Sequence, residues 1–88
     1  MTHALIVEDD ADSAATLKAL IAGEGLTVAV AANLREARKQ LALQPPDIVL
    51  LDLRLPDGSG MDLFNDPELL SNSEVVLITG HASLETSI

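Results

Sequence analysis

Asp47-Ile48-Val49-Leu50-Leu51-Asp52 places four consecutive apolar residues between two acids. An apolar run without alternation reads as a strand buried on both faces, as in the middle of a parallel sheet. Gln44-Pro45-Pro46 just before it ends a helix and forces an extended entry. Leu53 to Gly60, with Pro56, Asp57, Gly58 and Gly60, reads as the loop that leaves the strand.

Working outward, apolar runs alternate with helical patterns, the signature of a βαβ series. Ala4-Leu5-Ile6-Val7 is a first strand closed by Glu8. Asp10 or Asp12 can cap a first helix with apolar positions Ala14, Leu17, Leu20 and Ile21, stopped by Gly23 and Gly25. Leu26 to Ala31 alternates larger and smaller residues and reads as an edge strand with one well-buried face. Asn33 caps a second helix whose inner stripe is Leu34, Ala37 and Leu41, with Arg35, Glu36, Arg38 and Lys39 outside. A third helix begins near Gly60 or Met61, with a fresh start at Asp66-Pro67-Glu68. Glu74 to Thr79 is a fourth strand, apolar on both sides from Val75 to Ile78, and Ser83 can cap a fourth helix. The expected architecture is a three-layer α/β/α sandwich on an open parallel sheet of order 2-1-3-4.

Composition removes several function classes. Fourteen acidic residues against five basic ones give a formal charge of −9. Such a surface repels phosphate backbones and anionic headgroups, so neither nucleic acid nor membrane is an expected partner. One Phe and no Trp or Tyr leave no stacking platform for bases. The absence of cysteine excludes disulfides and thiolate metal sites. No basic n-region precedes the first strand and no apolar run approaches a membrane span, so a cytoplasmic protein is expected.

In an open parallel sheet the active crevice lies beyond the carboxyl ends of the strands. Glu8-Asp9-Asp10, Asp52 and Thr79 fall at that one edge. Crowded carboxylates repel one another, and a divalent cation relieves the cost. Carboxylates, waters and a backbone carbonyl make an Mg²⁺ type of site, completed by a substrate phosphate. An aspartate beside such a cation can attack a phosphoryl donor. Each residue also has a plainer role: Asp9 or Asp10 as a helix cap, Asp52 as a turn cap, Thr79 as a strand residue. Convergence at one edge favours the chemical reading. Other phosphate sites fit worse, because the turn after the first strand is acidic where a P-loop, dinucleotide or FMN site needs glycines. An EF-hand lacks its Gly and closing Glu here.

Leu5 to Asp10, Asp47 to Gly60 and Val76 to Ala82 together resemble the response-regulator receiver family, the CheY-like fold, in order and spacing. The resemblance implies that Asp52 is the phosphoacceptor. It implies that Asp9 and Asp10 help Asp52 and the Arg54 backbone carbonyl to hold Mg²⁺, and that Thr79 is the switch hydroxyl. His81 reads as an exposed loop residue, with modulation of access to the site as the alternative to that plain role. The implied donor is a phosphohistidine on a sensor histidine kinase or phosphotransfer protein, or a small acyl phosphate. Such a domain catalyses at most its own phosphorylation and dephosphorylation. The wording Thr79-Gly80-His81-Ala82-Ser83 resembles NtrC-type regulators of sigma-54 transcription.

The family continues through a fifth strand and helix, with a lysine after strand five. No lysine follows the fourth strand here. The expectation is therefore one receiver domain over residues 1–88, with its last strand and helix lying beyond Ile88. Two rivals stand beside the phosphorylation switch: a pseudo-receiver acting only by protein contact, and an assembly fragment that dimerises or swaps elements through its exposed fourth strand.

Overall fold

The computed structural model describes residues 2–78. Four parallel strands, β1 (His3–Val7), β2 (Thr27–Ala31), β3 (Ile48–Asp52) and β6 (Glu74–Ile78), form one sheet in the order β2-β1-β3-β6. The remaining two strands, β4 (Arg54–Leu55) and β5 (Gly58–Ser59), form a small antiparallel hairpin of their own. β6 is thus the fourth strand of the sequence reading, and the expected order is the observed one. The register pairs Val7 with Leu51 and Asp52 with Ile78, which brings the carboxyl ends of β1, β3 and β6 to one edge.

β1 is buried at all five residues, as a strand between two neighbours must be. Its side chains alternate between the faces. Leu5 and Val7 join Val49, Leu51 and Ala31 in a core closed by Leu34, Ala37 and Leu41 of α2 (Leu34–Leu43), the stripe expected of that helix. Asn33 caps α2 by accepting from the Glu36 N–H at 2.8 Å. Ala4 and Ile6 take the opposite face, where α1 (Ala11–Ala22) lies against β1 and β2.

Two expectations are corrected, and one left open, the buried face of β2, is decided. The α1 stripe is only partly covered: Ala14 is buried, Leu17 and Ile21 are half-buried, and Leu20 is 66% exposed. α1 leans chiefly on β1 and β2. On β2 the smaller side chains face the core, since Ala29 packs against it and Ala31 is buried in it, while Val30 is exposed. These alanines share one core with Leu34, Ala37 and Leu41 of α2. The third helix is a pair of 3₁₀ segments, Gly60–Asn65 and Pro67–Leu70. Pro67 drives Asp66 out of the helical region (φ −118°, ψ 70°), which leaves pieces of six and four residues.

Leu51 is fully buried in the core beside Leu63. Leu51→Ala should cost about 2–5 kcal/mol in urea unfolding, the range for emptying a packed leucine site. A cost below about 1 kcal/mol would mean that the site collapses freely.

Candidate functional site

Each strand end contributes by its own local logic. β1 runs into Glu8, whose backbone N–H still bonds to the Ala31 carbonyl at 2.9 Å, so its side chain is held inside the sheet edge. Asp52 is the last residue of β3. Both carboxyls are nearly sealed from solvent, Glu8 at 6% and Asp52 at 4% exposure. Asp9 follows on the exposed side, and one carboxylate oxygen from each of Glu8, Asp9 and Asp52 lies within 4.8 Å of the others.

Asp10 is placed differently from the expected ligand set. Its Oδ2 accepts from the Ser13 N–H at 3.1 Å and the Ser13 hydroxyl at 2.6 Å, which makes it the N-cap of α1. The gathered acids are therefore Glu8, Asp9 and Asp52. A signal for this was present: with α1 starting at Ala11, the capping rule assigns Asp10 to the helix and leaves the two preceding acids for the crevice. Arg54, at the start of β4, donates its backbone N–H to Asp52 Oδ1 at 3.2 Å. Thr79 and His81, together with the helix expected at Ser83, lie outside the described residues.

Glu8 carries the electrostatic cost of this crowding. Burial first, then the hydrogen bond and charge of Asp52, push its carboxyl from 4.5 up to about 7. Its Oε2 is buried without a hydrogen-bond partner. A proton on Glu8 is one relief for this arrangement. A divalent cation is the other, and an all-oxygen set of three carboxylates suits a hard cation. The residues present thus fit such an ion.

A carboxyl whose pKa is higher folded than unfolded favours folding while protonated. That contribution is fully present below about 4.5 and is lost as pH rises through about 7. In metal-free buffer, the stability of the wild-type chain relative to Glu8→Gln should therefore fall by about 2–3 kcal/mol across this window. Parallel pH profiles for the two proteins would contradict this origin of the shift.

The loop that leaves Asp52 is more ordered than its sequence foretells. Asp57, at the turn of the hairpin, accepts from the Leu34 N–H at 2.8 Å and the Arg35 N–H at 3.1 Å. Arg38 of α2 pairs with Asp66 at 3.0 Å, joining the same helix to the 3₁₀ segments. Among the described residues, no helix is long and apolar enough to cross a membrane.

Comparison with known proteins gives a consistent picture. The family model for the response regulator receiver domain matches residues 4–88. The chain is 41% identical over 86 residues to the response regulator protein PilR of Pseudomonas aeruginosa, covering 97% of this chain and 19% of PilR. It spans between 18% and 36% of the length of the first curated relatives it matches. A Burkholderia pseudomallei response regulator, solved with a phosphorylated aspartic acid, calcium ion and citrate, superposes with a TM-score of 0.85 at 26% identity. The match covers 91% of this chain and 48% of that one. The beryllofluoride-activated NtrC4 receiver domain dimer superposes at 0.83 and 33% identity, covering 98% of this chain and 72% of that one.

Proposed function

The chain belongs to the response regulator receiver family, and from that premise we propose that it is a phosphorylation-controlled switch whose phosphoacceptor is Asp52. The observation that carries this reading is a buried Asp52 within 4.8 Å of the Glu8 and Asp9 oxygens, beside the unpartnered Glu8 Oε2. Receiver domains are regulatory modules rather than enzymes acting on a separate metabolite, and the acidic pocket accords with that role.

In the proposed transfer, an Asp52 carboxylate oxygen attacks the phosphorus of a phosphohistidine or acyl phosphate. The new bond is O–P; the bond broken is P–N or P–O, and its electron pair leaves with the donor. The Arg54 amide fixes Oδ1 of Asp52 and so turns the carboxylate for attack. Glu8, Asp9, Asp52 and the Arg54 carbonyl would hold Mg²⁺. Bound there, the cation would neutralise charge on the transferred group. Thr79 is assigned the hydroxyl that donates to a phosphoryl oxygen, and His81 the control of access. Glu8 replaces Asp10 in this ligand set because Asp10 is committed to Ser13.

The proposed partner is a sensor histidine kinase or phosphotransfer protein in the cytoplasm. The output is transcription regulation, and the resemblance of Thr79-Gly80-His81-Ala82-Ser83 to NtrC-type regulators favours a sigma-54 setting. The domain is taken to occupy residues 1–88. Incubation with acetyl phosphate and Mg²⁺, followed by intact mass measurement, should add one phosphoryl group, and chelation should prevent it. No gain under either condition would leave the pseudo-receiver reading standing.

A second reading, self-association, is favoured by β6. It is an edge strand among the described residues, with Val76 43% and Leu77 47% exposed. Light scattering at tens of micromolar should give a dimer; a monomer counts against it.

A further inference from the structure

We propose that Asp57 is a positioning residue for Asp52: its carboxylate pins the β4–β5 hairpin to α2, and the hairpin fixes the phosphoacceptor. The inference rests on the reading of Asp52 as that acceptor.

The hairpin alone cannot do this. It consists of two residue pairs, Arg54 with Ser59 and Leu55 with Gly58, and so short a ribbon is not self-sustaining. Yet its root touches Asp52 twice. The Arg54 N–H bonds to the Asp52 carboxylate, and Gly60, whose N–H bonds to the Leu53 carbonyl at 3.0 Å, packs its backbone against the Asp52 carbonyl. Any wobble of the hairpin is therefore transmitted to the side chain and main chain of the phosphoacceptor.

The anchor lies at the far end of the hairpin. Asp57 reaches across 23 positions of sequence to accept two amides of the first turn of α2. A carboxylate accepting amides at a helix N-terminus makes charge-assisted bonds, further favoured by the helix dipole. Those amides hold its carboxyl below the ordinary range, the Leu34 amide foremost. Leu34 itself is buried in the core, so the anchor point is rigid. Gly58 completes the fit: at φ +147°, a Cβ there would meet Leu34 Cδ1 at 2.9 Å and Asp62 Oδ2 at 2.7 Å. A simple helix cap does not explain Asp57, because Asn33 already caps α2 from within its own chain segment.

Asn33 therefore supplies the control. Asn33→Ala and Asp57→Ala both remove acceptors from the α2 N-terminus, and only the second frees the hairpin. Asp57→Ala should speed amide hydrogen exchange at Gly60 about tenfold, without metal or donor present. It should also slow phosphoryl uptake from acetyl phosphate at saturating Mg²⁺ by about 10- to 100-fold, the scale of an ångström misplacement. Asp57→Asn, which keeps one acceptor oxygen, should recover part of both and serves if the alanine variant fails to fold. Asn33→Ala should lower the melting temperature while leaving exchange and uptake near wild type. Wild-type values in both Asp57 variants, or equal slowing by Asn33→Ala, would overturn the inference. A wild-type chain that takes up no phosphoryl group would sink the Asp52 reading instead, while Gly60 exchange would still report on the pin.

Discussion

Asp52→Asn is expected to abolish phosphoryl uptake from acetyl phosphate, with the fold retained and the stability changed by little. The substitution preserves the shape of the side chain and the oxygen that accepts from Arg54, so β3 and the hairpin root stay as they are. It removes the nucleophilic carboxylate from a position with 4% exposure. It also lifts one negative charge from beside Glu8, which relieves part of the pressure that raises that carboxyl. The neighbouring acids should separate by role. Glu8→Gln and Asp9→Asn should weaken divalent binding by roughly 10- to 100-fold, the scale of losing a supporting group at a metal site. Asp10→Asn should leave binding and uptake almost untouched, because asparagine caps a helix as well as aspartate does. Titration with Mg²⁺ and intact mass measurement on the four variants checks this ordering. A loss at Asp10 with little change at Glu8 would show that the gathered set is Asp9, Asp10 and Asp52 after all.

Gly60→Ala should produce the largest loss of stability of any small substitution in the loop. A Cβ at Gly60 would lie 2.2 Å from the Asp52 backbone oxygen and 3.0 Å from Leu51 Cγ. The first of these is main chain in the strand at the centre of the site, and it cannot swing aside as a flexible side chain would. Overpacking of this kind costs about 1–3 kcal/mol and more where backbone must move. A chain of 88 residues has a total margin of only about 5–13 kcal/mol, so the loss is a large share of it. Gly25→Ala provides the contrast. Gly25 has φ +89° with nothing within 4 Å of a Cβ, so only the left-handed backbone is penalised, at about 1–2 kcal/mol. Urea unfolding of the two variants should rank Gly60→Ala as clearly the weaker protein. The reverse order would mean that β3 yields easily around Asp52, which the pinned hairpin contradicts.

The sheet was legible because its signals are dense and mutually consistent. Apolar runs at Ala4–Val7 and Ile48–Leu51, a capped amphipathic α2 and the proline pair before β3 all point to one parallel order. Asp52 was legible for the same reason: it ends an unbroken apolar run, Ile48 to Leu51, at the carboxyl edge of the sheet. What escaped depends on contacts between distant segments. Whether Glu8 or Asp10 joins Asp9 turns on which acid the first turn of α1 claims, a difference of one residue in helix start. Asp57 read as loop chemistry because its partners, the amides of Leu34 and Arg35, lie more than twenty residues earlier. Leu20 joins the apolar stripe of α1 by helical period, and period cannot tell how far a neighbouring layer extends. The 3₁₀ pieces at Gly60–Asn65 and Pro67–Leu70 followed from Pro67, a signal read as a restart without its consequence for helix type.

The central claim, that Asp52 accepts a phosphoryl group in the Glu8–Asp9 pocket, is tested most directly by locating the modification. The wild-type chain, phosphorylated with acetyl phosphate and Mg²⁺ and kept acidic to preserve the acyl phosphate, can be fragmented in the mass spectrometer. One phosphoryl group on Asp52 is the predicted result. A phosphoryl group on any other residue, or none, would contradict it.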